Sequence, residues 1–472
     1  MKKLVILLLL LFLVSCSPSV EINKETCKDY CDDCEICTEL NKDTCNEFCE
    51  ECTEINEVTC KDYCPACPEI NEVTCKDYCP ACPEINEETC KDYCEENTGK
   101  KKIYLGIDLI DQNLSLFKDK RVGLITNPTG VNSEYQSTID VLYSKVNLVS
   151  LFAPEHGIRG NAQAGGSVGN EIDSVTGLTV YSLYGNTKEP TAEMMAGVDV
   201  LCIDIQDVGA RFYTYIYTMV HAMKACAKYN KTFVVFDRPN PISNKVDGNI
   251  LNMKHSSFVG EYDIITQHGL TIGELAGLFN SEYNINCDLK VIKMKDYDPS
   301  LYIDETTTPW VNPSPNMPTL DTAIVYTGTC LFEGVNLSEG RGTTKPFEFI
   351  GAPFIDAKAW ADKLNSLGLE GVTFRPIYFT PTFEDYANTL CGGVQPHVTD
   401  RDKFSACKTA LAMIYTIKEL YPSQVKLQSY LKTLSGVDYI YNMTYTLDEL
   451  FDIIDKDISE FNKIRAKYVL YE

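Results

Sequence analysis

Short apolar runs alternate with amphipathic segments along most of the chain after residue 100. The runs predict buried strands at 121–127, 146–152, 178–183, 198–205, 232–236 and 289–294. The segments between them predict helices at 137–144, 191–196, 213–229 and 271–283. Strands that are apolar on both sides and separated by helices are typical of a parallel sheet with both faces covered. Residues 101–300 are therefore predicted to form a Rossmann-like doubly wound α/β domain, which would carry the catalytic site.

The pattern changes near residue 300, where a proline-rich segment spans residues 309–318. A loop punctuated by glycine follows at 334–346, and helical patterns return at 400–421 and 447–468. These features predict a smaller α+β C-terminal domain over residues 301–472. Because ligand sites often lie between domains, we expect the functional cleft at this boundary.

The first 15 residues have the pattern of a signal peptide, with two lysines ahead of an apolar run at 4–14 that is too short to span a bilayer. The run ends in Leu-Val-Ser-Cys, which resembles the bacterial lipobox and predicts cleavage before Cys16 and lipidation of that residue. The alternative is an ordinary secreted protein in which Cys16 joins a disulfide. Lipidation would give an exported bacterial lipoprotein, tethered to a membrane in the cell envelope on the periplasmic side or the outer surface.

Residues 16–100 are predicted to form a lipid-anchored stalk built from a cysteine-rich repeat. A segment that starts at Thr59 recurs almost unchanged from Thr74 and in part from Thr89. Its Cys-x3-Cys-x2-Cys spacing favours disulfides in an exported chain, and zinc binding is the alternative. Without Cys16 the segment has an odd number of cysteines, so one thiol would be free or would pair between chains. Few large apolar residues occur here, which favours an acidic spacer.

The chain is strongly acidic, with a formal net charge of −25 over 472 residues. Residues 1–100 contain 9 Lys and 23 Asp or Glu, which leaves −11 for the rest of the chain. An acidic body without a basic block argues against nucleic acid as a partner, because phosphates require clustered Lys and Arg.

Polar side chains follow four of the predicted strands, at the ends where parallel sheets bind their ligands. They are Asn127; Glu155 and His156; Asp204 and Asp207; and Asp237 and Arg238. Each could be an ordinary loop residue when considered alone. Because the fold brings the carboxyl ends of these strands to one edge, the set together predicts a catalytic site.

Glu155 is the first candidate for catalysis. It follows the strand at 146–152 and a proline, and partial burial there would favour the protonated carboxyl that a general acid needs. The alternative is a surface glutamate paired with Arg159. His156 is a second catalytic candidate that would orient Glu155 or contact substrate, and structural packing is the alternative.

Asp204 and Asp207 are further catalytic candidates, because either could supply a second carboxylate or support the first. The alternative for Asp207 is an N-terminal cap of the next helix. Tyr213 and Tyr215 are candidates for stacking on a sugar ring, although an aromatic stripe at helical spacing is more often core.

Other motif matches carry less weight. Residues 165–169 fit the Gly-x-Ser-x-Gly pattern of serine hydrolases, but a loop precedes Ser167 where a strand is required. The sequence contains neither Gly-x-Gly-x-x-Gly nor a P-loop, and its five histidines include no His-x-x-x-His pair. We therefore expect no nucleotide cofactor and no metal.

Several segments of the body together resemble one family. They are GLITNPTGVN, LFAPEHGIRGNAQAG, TVYSLYG, DIQDVGARFYTYIYTM, FDRPNP, HGLTIGELA, PSPNMPT, SEGRGTTKPFE and GVQPHVTDRDKF. Over residues 101–472 they are similar to the exo-β-N-acetylmuramidases of NamZ type, glycoside hydrolase family 171. The resemblance implies removal of terminal N-acetylmuramic acid from the non-reducing ends of peptidoglycan fragments, in a cleft between a Rossmann-like domain and a smaller domain. It also implies that Glu155 matches a glutamate of the family's proposed site.

A muramic acid substrate carries a lactyl carboxylate, which suits the guanidinium fork of arginine. The substrate-binding candidates are Arg159, Arg211, Arg238 and Arg341, together with Asn127, Tyr213, Tyr215, Asp237, Asn316 and Glu339. The predicted function is an exo-acting β-N-acetylmuramidase whose partner is a peptidoglycan-derived glycan. The alternatives are a non-catalytic cell-wall-binding lipoprotein and, less favoured, a serine esterase.

Overall fold

A computed structural model describes residues 100–158, 171–185 and 187–471. The predicted signal peptide, Cys16 and the cysteine-rich stalk lie outside the described residues. The described residues belong to a compact unit that spans Tyr93–Glu472. Within them, no helix combines the length and the apolar character needed to cross a membrane.

A seven-stranded sheet organises the first half of this unit. Its strands are β1 Val122–Thr126, β2 Leu148–Ala153, β3 Glu171–Ile172, β4 Thr179–Ser182, β5 Val200–Asp204, β6 Thr232–Phe236 and β9 Asp288–Ile292; β7 Asp247–Ile250 and β8 Ile265–Gln267 pair separately. The order is β3-β4-β2-β1-β5-β6-β9, and every pair is parallel except β3 with β4. After β1 the chain adds β2, β3 and β4 on one side of it. It then returns to the centre of the sheet and adds β5, β6 and β9 on the other side. The point where the order reverses lies between β1 and β5, which is where open sheets of this kind bind ligands.

Ten α-helices are described. They are α1 Thr138–Lys145, α2 Ala192–Ala196, α3 Tyr215–Lys228, α4 Ile272–Glu282, α5 Leu320–Thr329, α6 Ala357–Asn365, α7 Ala406–Leu420, α8 Tyr430–Ser435, α9 Asp438–Tyr441 and α10 Leu447–Arg465. Many begin at a residue whose side chain accepts a hydrogen bond from a backbone amide of the first turn. Thr271 and Thr446 form complete capping boxes at α4 and α10.

Both faces of the parallel sheet are buried. Successive residues of each central strand belong to different apolar clusters: Leu124 and Val234 pack in one, Ile125 and Val235 in the other. This alternation follows from the two-residue period of a strand, and it confirms the prediction of a mixed α/β fold with helices over a parallel sheet.

The second half contains a sheet that the apolar pattern did not predict. It is antiparallel, with strands β10 Ile350–Ala352, β11 Val372–Phe379 and β12 Cys391–Val398 in the order β10-β12-β11. Trp360 and Ile414 from its helices share an apolar cluster with Ile203 and Phe233 of the large sheet. The halves on either side of residue 300 therefore share one core, and the domain boundary there stays a prediction.

Candidate active site

Glu155 lies in a tight turn directly after β2. The amide of Gly157 donates to the carbonyl oxygen of Pro154 at 3.1 Å and closes the turn. His156, which is buried, has a φ of 72°, a left-handed conformation that is uncommon for a residue with a side chain. Conformations of this kind concentrate at functional sites. The turn places the half-buried side chain of Glu155 beyond the carboxyl end of the sheet.

Two hydroxyl groups contact the Glu155 carboxylate. Thr214, the residue before α3, donates from Oγ1 to Oε2 of Glu155 at 3.0 Å. The pKa of Tyr184 is raised to about 12 by burial first, and then by a hydrogen bond with Glu155 and by the charge of that group. Glu155 therefore lies at the N-terminal end of α3, with two hydroxyl groups against its carboxyl group.

Asp207 and Asn127 lie near Glu155. Burial raises the pKa of Tyr213 and of Tyr215, and the charges of both Asp207 and Glu155 raise them as well, so both carboxylates are within electrostatic reach of the two rings. The Tyr215 hydroxyl lies beside the Asn127 amide but donates to the carbonyl oxygen of Pro313 at 2.6 Å. These residues come from the ends of β1, β2 and β5 and from the start of α3.

Three buried side-chain atoms in this group have no hydrogen-bond partner of acceptable geometry among the described residues. They are Oδ1 of Asp207, Nδ2 of Asn127 and the hydroxyl oxygen of Tyr213. Asp207 and Asn127 are only 5% and 3% exposed. Such atoms are rare in folded proteins, and each has a reason.

The tyrosines are held by the proline-rich segment of the second half. Besides the bond from Tyr215 to Pro313, the rings of Tyr213 and Tyr215 meet edge to face with centroids 5.1 Å apart. Tyr213 also meets Tyr326 of α5 in the same way at 5.9 Å. Asn316 lies half-buried in the same segment, three residues beyond Pro313. The two tyrosines thus act as packing groups and leave little ring face for a sugar.

Asp204 and Arg238 form a buried ion pair. Arg238 Nη2 donates to Oδ2 of Asp204 at 3.0 Å, Nε donates to Oδ1, and the Thr138 hydroxyl also donates to Asp204. The side chains are 0% and 3% exposed. Both oxygens of Asp204, and Nε and Nη2 of Arg238, are used within the fold, which favours a structural role for this pair. The pair joins the ends of β5 and β6 to the segment after β1.

Asp237 is also a structural carboxyl. It accepts bonds from the amides of Arg238 and Gly273 and from the hydroxyls of Thr271 and Tyr471, at 2.6–3.0 Å. Burial raises its pKa to about 7, against the effect of these donors. The predicted role in substrate binding is therefore not retained.

Arg211 has a role that its charge alone did not suggest. The side chain is fully buried, and its guanidinium donates to the carbonyl oxygens of Asn249, Ile264, Leu434 and Ser435 at 2.8–3.1 Å. It joins the first half of the chain to the second. A guanidinium enclosed by main-chain carbonyls cannot reach a substrate carboxylate, so we remove Arg211 from the site.

Arg341 lies between two carboxylates of the second half. It donates to Oε1 of Glu339 at 3.0 Å and to Oε1 of Glu333 at 2.8 Å. Burial raises the pKa of Glu339, and Arg341 opposes this. Burial also raises the pKa of Tyr430, and the charges of Glu333 and Glu155 add to the effect, so Tyr430 lies within electrostatic reach of both. This group therefore lies on the Glu155 side of the molecule.

Two residues singled out in the sequence lie outside the residues that the structure describes. Arg159 and Ser167 fall within residues 159–170, which are not described. Among the described residues, no group of three His, Cys, Asp or Glu side chains has the geometry to hold a metal. A shallow cleft lined by Lys363, Tyr415 and Glu449 includes none of the candidate residues.

Sequence reasoning missed three residues of the site: Tyr184, Thr214 and His268. Tyr184 follows β4, so the rule that selected Glu155 at the end of β2 would also have selected it. Thr214 immediately precedes α3, and a residue with a hydroxyl group is common at the position where a helix begins. His268 follows β8, a three-residue strand that the apolar pattern does not reveal.

Comparisons with known proteins agree across the body of the chain. Family models for the exo-β-N-acetylmuramidase NamZ match residues 122–321 with the N-terminal model and 324–471 with the C-terminal model. The peptidoglycan β-N-acetylmuramidase NamZ of Bacillus subtilis strain 168 is 51% identical over 387 residues, which cover 80% of this chain and 94% of that protein.

Two solved structures of DUF1343 family proteins from Bacteroides fragilis have the same fold. One has a TM-score of 0.74 at 38% identity and covers 79% of this chain and 100% of its own. The other has a TM-score of 0.63 at 32% identity and covers 79% and 99%. The similarity therefore extends over most of the body of the chain.

Proposed function

The chain belongs to the NamZ family of exo-β-N-acetylmuramidases, and from this premise we propose that it removes terminal N-acetylmuramic acid from the non-reducing ends of peptidoglycan fragments. It is thus a glycoside hydrolase. We interpret the sheet, whose order reverses between β1 and β5, as Rossmann-like, with the substrate bound beyond that edge against the second half.

The position of Glu155 carries this proposal. Its half-buried carboxyl, fixed by Thr214 at the start of α3, is the group we assign as general acid. The protonated carboxyl gives its proton to the glycosidic oxygen as the bond from that oxygen to the anomeric carbon breaks. The leaving glycan departs as an alcohol. The oxygen of a water molecule then bonds to the anomeric carbon, and the water gives up one proton to a carboxylate of the site, so the sugar is released as the free hemiacetal.

Asp207 is the second carboxylate of the proposed site. Asp204 was an equal candidate in the sequence, but its ion pair with Arg238 occupies both of its oxygens. Asp207 keeps one oxygen unpartnered among the described residues and shares its surroundings with Glu155. His156, buried beside Glu155, is proposed to hold the turn that presents the acid.

The lactyl carboxylate has no ready partner among the three described arginine candidates, because carbonyls or carboxylates already surround each of them. Arg159, four residues after Glu155, stays the proposed ligand. Asn316 and Glu339 are proposed to contact the sugar from the second half.

Hydrolysis of two chromogenic sugars tests the function with the full chain. We expect release from the β-N-acetylmuramide and little from the β-N-acetylglucosaminide, which lacks the lactyl group. Glu155→Gln should lower kcat by a factor of about 10²–10⁴, the usual contribution of a general acid. The matched control is Glu193→Gln, an exposed glutamate on α2.

Equal cleavage of both sugars would refute the specificity. Wild-type kcat in Glu155→Gln would refute the acid, and binding of peptidoglycan without sugar release would favour a cell-wall-binding protein.

We also propose that the protein is an envelope lipoprotein, from the lipobox-like sequence that ends at Cys16. The stalk would then hold the hydrolase away from the membrane. Metabolic labelling with an alkyne fatty acid in a bacterial host should mark the wild-type chain and leave Cys16→Ala unmarked. Equal labelling of both chains would refute the anchor.

A further inference from the structure

Asp207 is anchored through only one of its carboxylate oxygens. The amide of Gly209 donates to Oδ2 at 2.7 Å, and Nε2 of His268 lies 3.2 Å from the same oxygen. Oδ1 is buried and has no hydrogen-bond partner among the described residues. An unpaired buried oxygen is costly, so a hydrogen-bond donor placed against Oδ1 would stabilise this side chain.

His268 is a donor to Asp207 because its other ring nitrogen is an acceptor. The amide of Leu270 donates to Nδ1 of His268 at 3.2 Å, so Nε2 is the ring nitrogen that donates to Asp207. The side chain is fully buried and has no freedom to exchange these roles. Two N–H groups therefore face Oδ2 of Asp207, and only an acceptor fits there.

Asn127 supplies a complementary donor. The amide of Gln206 donates to Oγ1 of Thr129 at 2.9 Å, and the Thr129 hydroxyl donates to Oδ1 of Asn127. This chain of bonds connects Asn127 to the residue next to Asp207. It also fixes the orientation of the Asn127 amide, so that Nδ2 lies beside the Tyr215 hydroxyl and has no hydrogen-bond partner of acceptable geometry among the described residues.

We propose that Oδ1 of Asp207 and Nδ2 of Asn127 form a subsite for the 2-acetamido group of the sugar, with His268 as the positioning residue of Asp207. An acetamido group has one N–H donor and one carbonyl acceptor, which match these two atoms. Both atoms are buried, which suits an uncharged amide far better than the lactyl carboxylate, because loss of water costs a charged group much more. This inference rests on the proposed function, which supplies an N-acetylated sugar.

Asp207→Asn is the decisive variant, because the two donors on Oδ2 dictate how the new amide is oriented. Its oxygen must face Gly209 and His268, so its NH2 replaces Oδ1 and confronts the substrate N–H. The variant has the same shape as the native side chain but presents a donor where the substrate needs an acceptor. A sugar hydroxyl can rotate to accept instead of donate and would tolerate the exchange.

Calorimetric titration of the full chain would use two ligands: N-acetylmuramic acid and 3-O-lactylglucose, which has a hydroxyl at carbon 2. We expect Asp207→Asn to weaken binding of the acetamido ligand by a factor of about 10–100, and to change binding of the hydroxyl ligand less than about threefold. Equal weakening of both ligands, or no weakening of either, would overturn the subsite. Circular dichroism and thermal unfolding establish that the variant is folded.

Three further substitutions, one at Asn127 and two at His268, keep the proposal falsifiable if Asp207→Asn does not fold. Asn127→Asp replaces the donor with an acceptor and should produce the same selective loss of the acetamido ligand. His268→Gln retains an N–H for Asp207 and should keep most of the selectivity, whereas His268→Leu should lose it. Equal selectivity in His268→Gln and His268→Leu would refute the positioning role. Release of N-acetylmuramic acid by the wild-type chain is measured separately, so failure of the subsite and failure of the activity are distinguishable.

Discussion

The hydroxyl of Thr214 donates to Oε2 of Glu155 at 3.0 Å, from the residue that precedes the first turn of α3. The two residues are 59 positions apart in the sequence, and the contact connects the turn after β2 to a helix packed on the sheet. The bond fixes one oxygen of the carboxyl group, to which the Tyr184 hydroxyl also forms a hydrogen bond.

Thr214→Val should lower kcat by up to about tenfold, because a hydrogen bond that holds a side chain in position is worth about 0.5–1.5 kcal/mol, and should change KM little. Thr214→Ser should restore kcat, and wild-type kcat in Thr214→Val would refute the role of this hydroxyl.

Tyr184→Phe tests the second hydroxyl on the same carboxylate. We expect a similar loss of kcat, with a stability change near zero because the side chain is only half-buried. The double variant Thr214→Val, Tyr184→Phe should depart from additivity by at least about 0.5 kcal/mol, as expected for two groups that share one partner. Additive effects on kcat would show that the two hydroxyls act independently of each other and are not coupled through Glu155.

Arg238→Met should lower the free energy of unfolding by about 3–5 kcal/mol, because it leaves the carboxylate of Asp204 buried and unpaired. The double variant Asp204→Leu, Arg238→Met removes both charges and should recover part of that loss. Urea denaturation monitored by tryptophan fluorescence provides the measurement. A double variant less stable than Arg238→Met would contradict this assignment.

Asp237 should make stability fall as pH rises. Burial raises its pKa to about 7 from a value near 4 in the unfolded chain, so the folded protein binds the proton more tightly. The stabilisation is fully present below about pH 4 and is lost as pH rises through 7. Asp237→Asn cannot ionise and should lack this decline.

The comparison is the difference in unfolding free energy between wild type and Asp237→Asn at pH 5 and at pH 8. We expect that difference to change by about 2 kcal/mol, in favour of the variant at the higher pH. Parallel pH profiles for the two proteins would rule out Asp237 as the titrating group.

The large sheet could be predicted because its strands are buried on both faces. The run at 232–236 coincides with β6, and the predicted strand at 198–205 contains β5. Short continuous apolar runs of this kind have few competing interpretations when turn residues bound them. The small sheet differs because β12 contains two glycines and a proline and β11 contains Pro376, residues that usually argue against a strand.

The site was predictable in position but only partly in membership. Glu155, Asp207 and Asn127 follow strands of one sheet, so the topology alone brings them together. The arginines illustrate the limit of that reasoning. A guanidinium can bind either a substrate carboxylate or main-chain carbonyl oxygens, and the residue type does not distinguish the two. The partners of Arg211 at Leu434 and Ser435 are 223 and 224 positions away in the sequence. No local pattern reports a contact across that separation.

The enclosed guanidinium of Arg211 also limits how the gene can be divided. A fragment that stops near residue 321, where the first family match ends, would retain the cation and lose two of its four acceptors. We therefore expect neither segment to fold as an independent module for fusion or domain exchange. Exchange between relatives should transfer both matched segments together, with the buried residues at 103–117 that precede them.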